Sequence, residues 1–328
     1  MGVGRSSLEG LGLRSALVTG ATGLIGSWLV AALAGRGVRV AIVRRPGSTS
    51  AVPDRSAVVE AEVTDEQGLV GALAEHEVDT VFHLAAQSIV GSAQQAPGAT
   101  FEVNVRGTWT VLEACRRHGA ARVVVAGSDK AYGPARQPPY RENQSLAPAF
   151  PYDVSKACAD LLARSYWHSY ALPVAVTRLT NVYGGGDRQP SRLIPAAIAA
   201  ALAGRAPVIR SDGTPQRDFL YVEDAVEAYL RIAHALDDPH AGVRGEALNG
   251  GSEAPCSVRA VVELVCALAG TGQRPDVQGA GTPPGELDRQ WVDASRLREL
   301  TGWRARVGLE EGLRRTVEWY RAHPSVLC

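Results

Sequence analysis

Over the first 180 positions, short apolar runs alternate with longer stretches in which apolar residues recur at helical spacing. The runs are Ser15–Thr19, Val38–Val43, Val58–Val63, Val78–Leu84, Val123–Ala126 and Pro173–Leu179, each short enough for a buried strand. Helical patterns fall between them at Trp28–Ala34, Pro97–His118 and Tyr152–Ala171, the last with Pro151 in its first turn. This seven-strand-like alternation up to residue 180 predicts an α/β protein built on a doubly wound parallel sheet. Beyond residue 180 the pattern lapses. Arg192–Ala203 reads as a helix, Val208-Ile209 as a short strand, and Gln216–Val222 as an extended segment entering a helix at Glu223–Leu236. Two or three further helices follow Gly250, with Pro- and Gly-rich connections at Gly279–Gly285, and they suggest a smaller C-terminal α/β lobe over the sheet's edge.

The first strand runs straight into Gly20-Ala21-Thr22-Gly23-Leu24-Ile25-Gly26 and then a helix. Glycines there let a pyrophosphate approach the backbone, and the helix start offers unpaired N–H groups and a positive dipole end. The alternative, a tight turn that binds nothing, is the weaker reading of glycines placed between strand and helix. At the end of the second strand Arg44-Arg45 stand where an NAD site usually carries an acid, followed by Ser48-Thr49-Ser50. They are either a 2′-phosphate site favouring NADP or two solvated arginines. Glu62 and Val63 fall where an adenine edge would lie, and Leu84-Ala85-Ala86 would let backbone approach the dinucleotide. His83 reads as a satisfied buried histidine. Asn104 lies on one turn with Gly107 and Thr108.

The chemistry concentrates after the fifth strand. Ser128-Asp129-Lys130 follow Val123–Ala126 directly, and Tyr152 and Lys156 come soon after at a spacing that sets both on one helix face. Reactive groups at the end of a buried strand are the one-dimensional form of an active site at a sheet's carboxyl edge.

Composition narrows the classes. In 328 residues, Lys plus Arg and Asp plus Glu number 34 each, so no global field recruits nucleic acid or an anionic membrane. Five cysteines without CxxC spacing read as reduced thiols, with Cys115, Cys158 and Cys266 in apolar helical patterns; no metal is expected. Met1–Gly12 has no leader-like pattern, and no apolar window spans a membrane, which places the protein in the cytoplasm.

Gly20-x-x-Gly23-x-x-Gly26, Ser128 and Tyr152-x-x-x-Lys156, in this order, resemble an extended short-chain dehydrogenase/reductase of the nucleotide-sugar epimerase/dehydratase kind. The resemblance covers nearly the whole chain and implies a Rossmann-like dinucleotide domain over 1–181 and about 211–250. The nucleotide-sugar lobe would be about 182–210 and 251–328. It implies NAD(P)+, tightly retained, held by Gly20, Thr22, Gly23, Leu24, Ile25, Gly26, Arg44, Arg45, Glu62, Val63, Leu84, Ala85, Ala86, Asn104, Tyr152 and Lys156. Tyr152 would be the base at a sugar hydroxyl, its pKa lowered by Lys156 and the cofactor's positive ring, with Ser128 bonded to the same oxygen.

Within that kind, Asp129-Lys130 is similar to the pair carried by CDP-glucose 4,6-dehydratases, as are Gly26-Ser27-Trp28-Leu29, His83–Gln87 and the Asn181–Asp187 loop. The resemblance implies a nucleotide-sugar 4,6-dehydratase with Asp129 as the acid at C6 and Lys130 at the C5 proton or the enolate. A C4 epimerase or decarboxylase, with Asp129-Lys130 a mere surface ion pair, is the alternative; a non-catalytic dinucleotide-binding regulator is more remote. Arg44-Arg45 is more like the NADP-using GDP-mannose 4,6-dehydratases, and Gln216–Val222 has the form shared with epimerases. Arg192, Arg217 and Arg289 fall at positions of diphosphate or ribose contacts, and Gln87, Ser88 and Asn181 would face the sugar. The resemblance implies a homodimer seam on the helices Pro97–His118 and Tyr152–Ala171; the apolar positions Val105, Leu112 and Leu161 either serve that seam or face the sheet.

Overall fold

In a computed structural model that describes residues 12–48, 50, 52, 56–134, 137–282 and 287–326, every residue of β1 (Ser15–Thr19) is buried. Thr49 and Cys328, and part of the Gly279–Gly285 connection, lie outside the described residues. β1 sits inside a seven-stranded sheet with β2 (Arg39–Arg44), β3 (Ser56–Glu60), β4 (Thr80–His83), β5 (Arg122–Ala126) and β6 (Val174–Leu179). The order is Ala247–Gly250, β6, β5, β4, β1, β2, β3, and all neighbours are parallel. The order in which strands are added reverses between β1 and β4, which makes a crevice outside their carboxyl ends, where ligands of such sheets bind.

Pleating sends alternate side chains to opposite faces. Ala16, Val18, Ile42, Phe82 and Val124 pack beneath the helices Leu24–Ala34 and Val222–Ala235. Leu17, Ala41, Val81, Val123 and Val125 pack beneath Glu66–Glu75, Gly107–His118 and Pro151–Tyr170. The third cluster is the lobe, where Ile198, Val262, Val265, Leu313 and Val317 join the helices Leu193–Leu202, Val258–Ala269 and Leu309–Ala322. Trp28 ties lobe to sheet, donating its indole N–H to Gly185 O at 2.8 Å.

Three elements differ from expectation. Only six of the seven strands lie before residue 180; the seventh is Ala247–Gly250, whose sequence Ala-Leu-Asn-Gly carries no apolar run. The third strand is Ser56–Glu60 rather than Val58–Val63, because its one partner, β2, ends at Arg44 opposite Glu60. The helix expected over Pro97–His118 is broken by a wide π turn at Glu102–Arg106, flanked by α-helix at Pro97–Phe101 and Gly107–His118. π turns commonly mark functional positions, and Asn104 occupies this one.

A buried network locks the site's elements together. Arg178 on β6 forks onto Asp160 at 2.8 and 3.0 Å and donates to Tyr132 Oη at 2.8 Å. Tyr132 donates to Asn249 Oδ1 at 2.8 Å. The Tyr152 helix, the turn after Ser128 and the seventh strand therefore share one anchor. Among the described residues, no helix is long and apolar enough to cross a membrane.

Candidate active site

The dinucleotide end begins at the β1 turn. Gly20 has φ +70°, and a Cβ there would fall 2.7 Å from Ala85 N; one on Gly26 would fall 2.2 Å from Gly20 O. Only glycine allows the turn to close against the β4 exit and the following helix to start this near. Gly23 caps that helix, whose first turn has neither a side-chain cap nor an acidic residue. Thr22, Leu24 and Ile25 complete the turn, so its N–H end suits a pyrophosphate.

At the end of β2, Arg44 donates to Glu60 Oε1 at 2.5 Å. The exposed Arg45 lines a small cavity with Pro46, Gly47, Ser48 and Glu62. Val63 is buried under the sheet edge.

The β4 exit, Leu84-Ala85-Ala86-Gln87-Ser88, is held from below. Asn104 Oδ1 accepts from Gln87 N at 2.7 Å, while its Nδ2 donates to Gln87 O at 3.0 Å and Ser155 Oγ at 2.9 Å. Ser155 in turn donates to Tyr152 O at 2.7 Å, so Asn104 positions the loop against the Tyr152 helix. Thr108 gives its hydrogen to Asn104 O at 2.6 Å, and so accepts from His83 Nε2 at 3.1 Å. His83 Nδ1 is left to accept from Thr19 Oγ1 at 2.8 Å, and Thr19 accepts from Ala85 N at 3.1 Å. Burial pushes His83 down to about 3, with the Lys156 charge adding to the effect, and the ring is a neutral strut. The reading of His83 as a satisfied buried histidine agrees with this geometry.

Ser128, Tyr152 and Lys156 meet at the end of β5. Lys156 donates to Ala126 O at 2.8 Å, and burial pushes its pKa down to about 8. The Tyr152 phenol interacts with the Ser128 hydroxyl. Burial drives its pKa up to about 12, against the pull of Arg192 and Ser128. Lys156 directs its ammonium to Ala126 O, and desolvation of a phenol that is 9% exposed outweighs the rest.

Asp129 is 3% exposed, accepts from Ser128 Oγ at 3.3 Å through Oδ1, and has no hydrogen-bond partner at Oδ2. Burial raises its carboxyl to about 6; Lys130 and Gln290 oppose the rise, and Asp218 adds to it. Lys130 Nζ donates to Gln290 Oε1 at 3.4 Å, across 160 residues of chain. Gln290 and Asp153, a buried carboxyl also raised to about 6 by burial against the pull of the Lys130 charge, both act on Lys130 and are missed by the sequence pattern. Nothing local marks Gln290; Asp153, inside the Tyr-x-x-x-Lys motif, was there to be noticed.

Of the expected substrate residues, Arg192 bridges two parts of the fold. It donates to Ser88 Oγ at 2.9 Å and to Asp187 Oδ2 at 3.0 Å, joining the β4 exit to the lobe. Asn181 donates to Asp218 O at 3.1 Å. Arg217 is buried on a two-residue strand and donates to Gln216 O and Asp288 O. Arg289 pairs in register with Gln216, is exposed, and lies over the Trp291 ring.

Ser128, Tyr152 and Lys156 gathered at the end of β5, with the glycine turn after β1, are the arrangement of an enzyme of the short-chain dehydrogenase/reductase class. The chain belongs, more narrowly, to the NAD dependent epimerase/dehydratase family, which residues 16–251 match. It is 33% identical, over 93% of its length and 92% of the relative's, to a dTDP-glucose 4,6-dehydratase of Xanthomonas campestris pv. campestris. A dTDP-glucose 4,6-dehydratase of Streptomyces venezuelae, solved with NAD bound, superposes with a TM-score of 0.83 at 28% identity, covering 95% of this chain and 98% of that one. The UDP-glucose 4-epimerase of Thermotoga maritima, solved with UDP-glucose, gives 0.87 at 27% identity, covering 95% and 100%.

Proposed function

We propose that the protein is a nucleotide-sugar 4,6-dehydratase, which converts a nucleoside-diphosphate hexose to the 4-keto-6-deoxy sugar and water. The observation that carries this is Asp129, a buried carboxyl raised to about 6 with one oxygen unpartnered, directly after Ser128. An epimerase needs no such acid. The dehydratase names of relatives 33% identical over most of the chain support the same reading.

A bound NAD(P)+, held at the Gly20–Gly26 turn, would supply the hydride acceptor for C4 and the hydride donor for C6. Tyr152 takes the C4 hydroxyl proton, with Ser128 bonded to that oxygen and Lys156 beneath. The ketone acidifies C5–H, and Lys130 takes that proton and, as the ammonium, holds the resulting enolate. Asp129 gives its proton to the C6 hydroxyl as the C6–O bond breaks, releasing water. A proton returned to C5 completes the product. Arg192, Arg217 and Arg289 take the diphosphate and ribose, and Gln87, Ser88 and Asn181 the sugar.

The division of labour is that of 1–181 and about 211–250 for the dinucleotide against about 182–210 and 251–328 for the nucleotide sugar. NAD is our assignment over NADP, since Arg44 is engaged by Glu60 and Glu62 would repel a 2′-phosphate at the Arg45 cavity. Denaturing the purified protein and identifying the released dinucleotide decides this; NADP would overturn it. A homodimer is supported by Phe101, Trp109 and Leu161, exposed on the two expected helices at 36%, 44% and 57%. Leu112, by contrast, is fully buried against the sheet and belongs to no seam. Light scattering on Leu161→Glu would show a monomer if the seam is there. Reduced thiols at Cys115, Cys158, Cys256 and Cys266 fit a cytoplasmic protein.

Without added cofactor, CDP-, GDP-, dTDP- and UDP-glucose are each offered to the purified protein and followed by mass. Loss of one water from any of them is the expected outcome. An isomer of unchanged mass, with no water lost from any, would sink the reading in favour of a C4 epimerase.

A further inference from the structure

Gln290 belongs to the two-residue strand Arg289–Gln290 and is fully buried, although nothing in its own neighbourhood in sequence is reactive. Its backbone is fixed: the strand runs parallel to Gln216–Arg217, and Asp218 N donates to Gln290 O at 3.2 Å. The side chain therefore reaches the active site from the lobe with little freedom of its own. Its Oε1 accepts from Lys130 Nζ at 3.4 Å. Its Nε2 has no hydrogen-bond partner, and Asp129 Oδ2 has none either.

A buried amide N–H and a buried carboxylate oxygen both left over are costly, and each is what the other lacks. Gln290 and Asp129 interact in this geometry, the amide easing the carboxyl's charge. Asp129 and Lys130 are adjacent in sequence, yet among the described residues they form no ion pair; the lysine is on the amide instead.

We propose that Gln290 is a positioning residue for the elimination: its amide stands between Lys130 and Asp129 and prevents their direct ion pair. The inference rests on the dehydratase reading for its purpose, though its geometry stands apart from it. A direct pair would fix Asp129 as carboxylate and Lys130 as ammonium, the wrong protonation states for an acid at C6 and a base at C5. A neutral amide accepts from the one and turns its unpaired N–H toward the other without committing either proton. Because Gln290 is carried by the lobe, the lobe's seating on the sheet also sets the spacing of the acid and base.

The test separates the amide's role from the reaction. Aspartate carboxyl carbons are labelled in the full-length protein, the Asp129 resonance is identified by its loss in Asp129→Asn, and it is titrated by NMR. In Gln290→Leu, Lys130 is freed to reach Asp129, and the Asp129 midpoint falls by at least about one pH unit, the usual effect of an adjacent opposite charge. In Gln290→Leu with Lys130→Met that fall disappears. An Asp129 midpoint in Gln290→Leu that equals or exceeds the wild-type value overturns the proposal, as does a fall that survives Lys130→Met. The same variants are run against the glucose nucleotide that the wild-type protein dehydrates. In Gln290→Leu, water loss falls at least about tenfold more than C4 oxidation, the factor that goes with one pH unit. Equal losses in the two steps overturn the proposed link to elimination. If the wild-type protein dehydrates none of the four nucleotides, the dehydratase reading falls with that, while the titration still decides whether Gln290 holds the pair apart.

Discussion

Lys156 donates its ammonium to the carbonyl oxygen of Ala126 at 2.8 Å, the last residue of β5 and two before Ser128. One bond thus fixes the helix carrying Tyr152 against the strand end carrying the serine. With the phenol held up to about 12 by burial, proton removal depends on charges brought near it. Tyr152→Phe is expected to lower turnover by about 10²–10⁴-fold, the usual contribution of a positioned general base. The dinucleotide should remain bound, because the turn at Gly20–Gly26 is untouched. Steady-state rates with quantitation of bound dinucleotide check this; unchanged turnover would remove Tyr152 from its role.

Asp129 and Tyr152 impose opposite pH dependences. An acid of pKa about 6 is mostly protonated below that pH and about one-tenth protonated at pH 7, so water loss should fall about tenfold per pH unit above about 6. C4 oxidation, which needs Tyr152 to give up its proton, should rise over the same range. Asp129→Asn should oxidise C4 and accumulate the keto-sugar without dehydrating it. Single-turnover measurements, reading nicotinamide absorbance for oxidation and mass for water, separate the steps; parallel pH profiles would contradict the assignment.

Asp160→Ala should destabilise the fold by about 3–5 kcal/mol, since it strands the Arg178 guanidinium, itself 1% exposed, without its carboxylate. Adding Arg178→Met removes the stranded charge, and the double variant should be more stable than Asp160→Ala alone. Denaturant unfolding measures both.

His83 governs part of the acid stability. Its folded pKa is lowered from 6.5 to about 3, so the unfolded chain takes up the proton first, and stability is lost as pH falls below about 6.5. The slope is about 1.4 kcal/mol per pH unit down to about 3. His83→Gln, which can still accept from Thr19 and donate to Thr108, lacks that proton uptake. Between pH 7 and pH 5 the wild-type protein should lose about 2 kcal/mol more than the variant, by the same slope. Asp129 and Asp153, both raised, act in the opposite direction below about 6, but they are present in both proteins and cancel in the comparison. Equal losses would mean that the ring is protonated in the fold.

Whatever depends on neighbours along the chain was legible in the amino-acid sequence. The apolar runs of β1, β2, β4, β5 and β6, the glycines at 20, 23 and 26, and the helical spacing of Tyr152 and Lys156 are local physics, legible at their own positions. The Ala247–Gly250 strand was not legible, because parallel pairing with β6 supplies what Ala-Leu-Asn-Gly lacks. Tertiary structure alone decided the electrostatics. It buried the Tyr152 phenol so that desolvation overrode the pull of Arg192 and Ser128, engaged Arg44 with Glu60 across two strands, and turned Leu112 inward. It also brought Gln290 to Lys130 across 160 residues. Burial and long-range pairing depend on which surfaces the whole chain closes against one another, and no window of sequence holds that information.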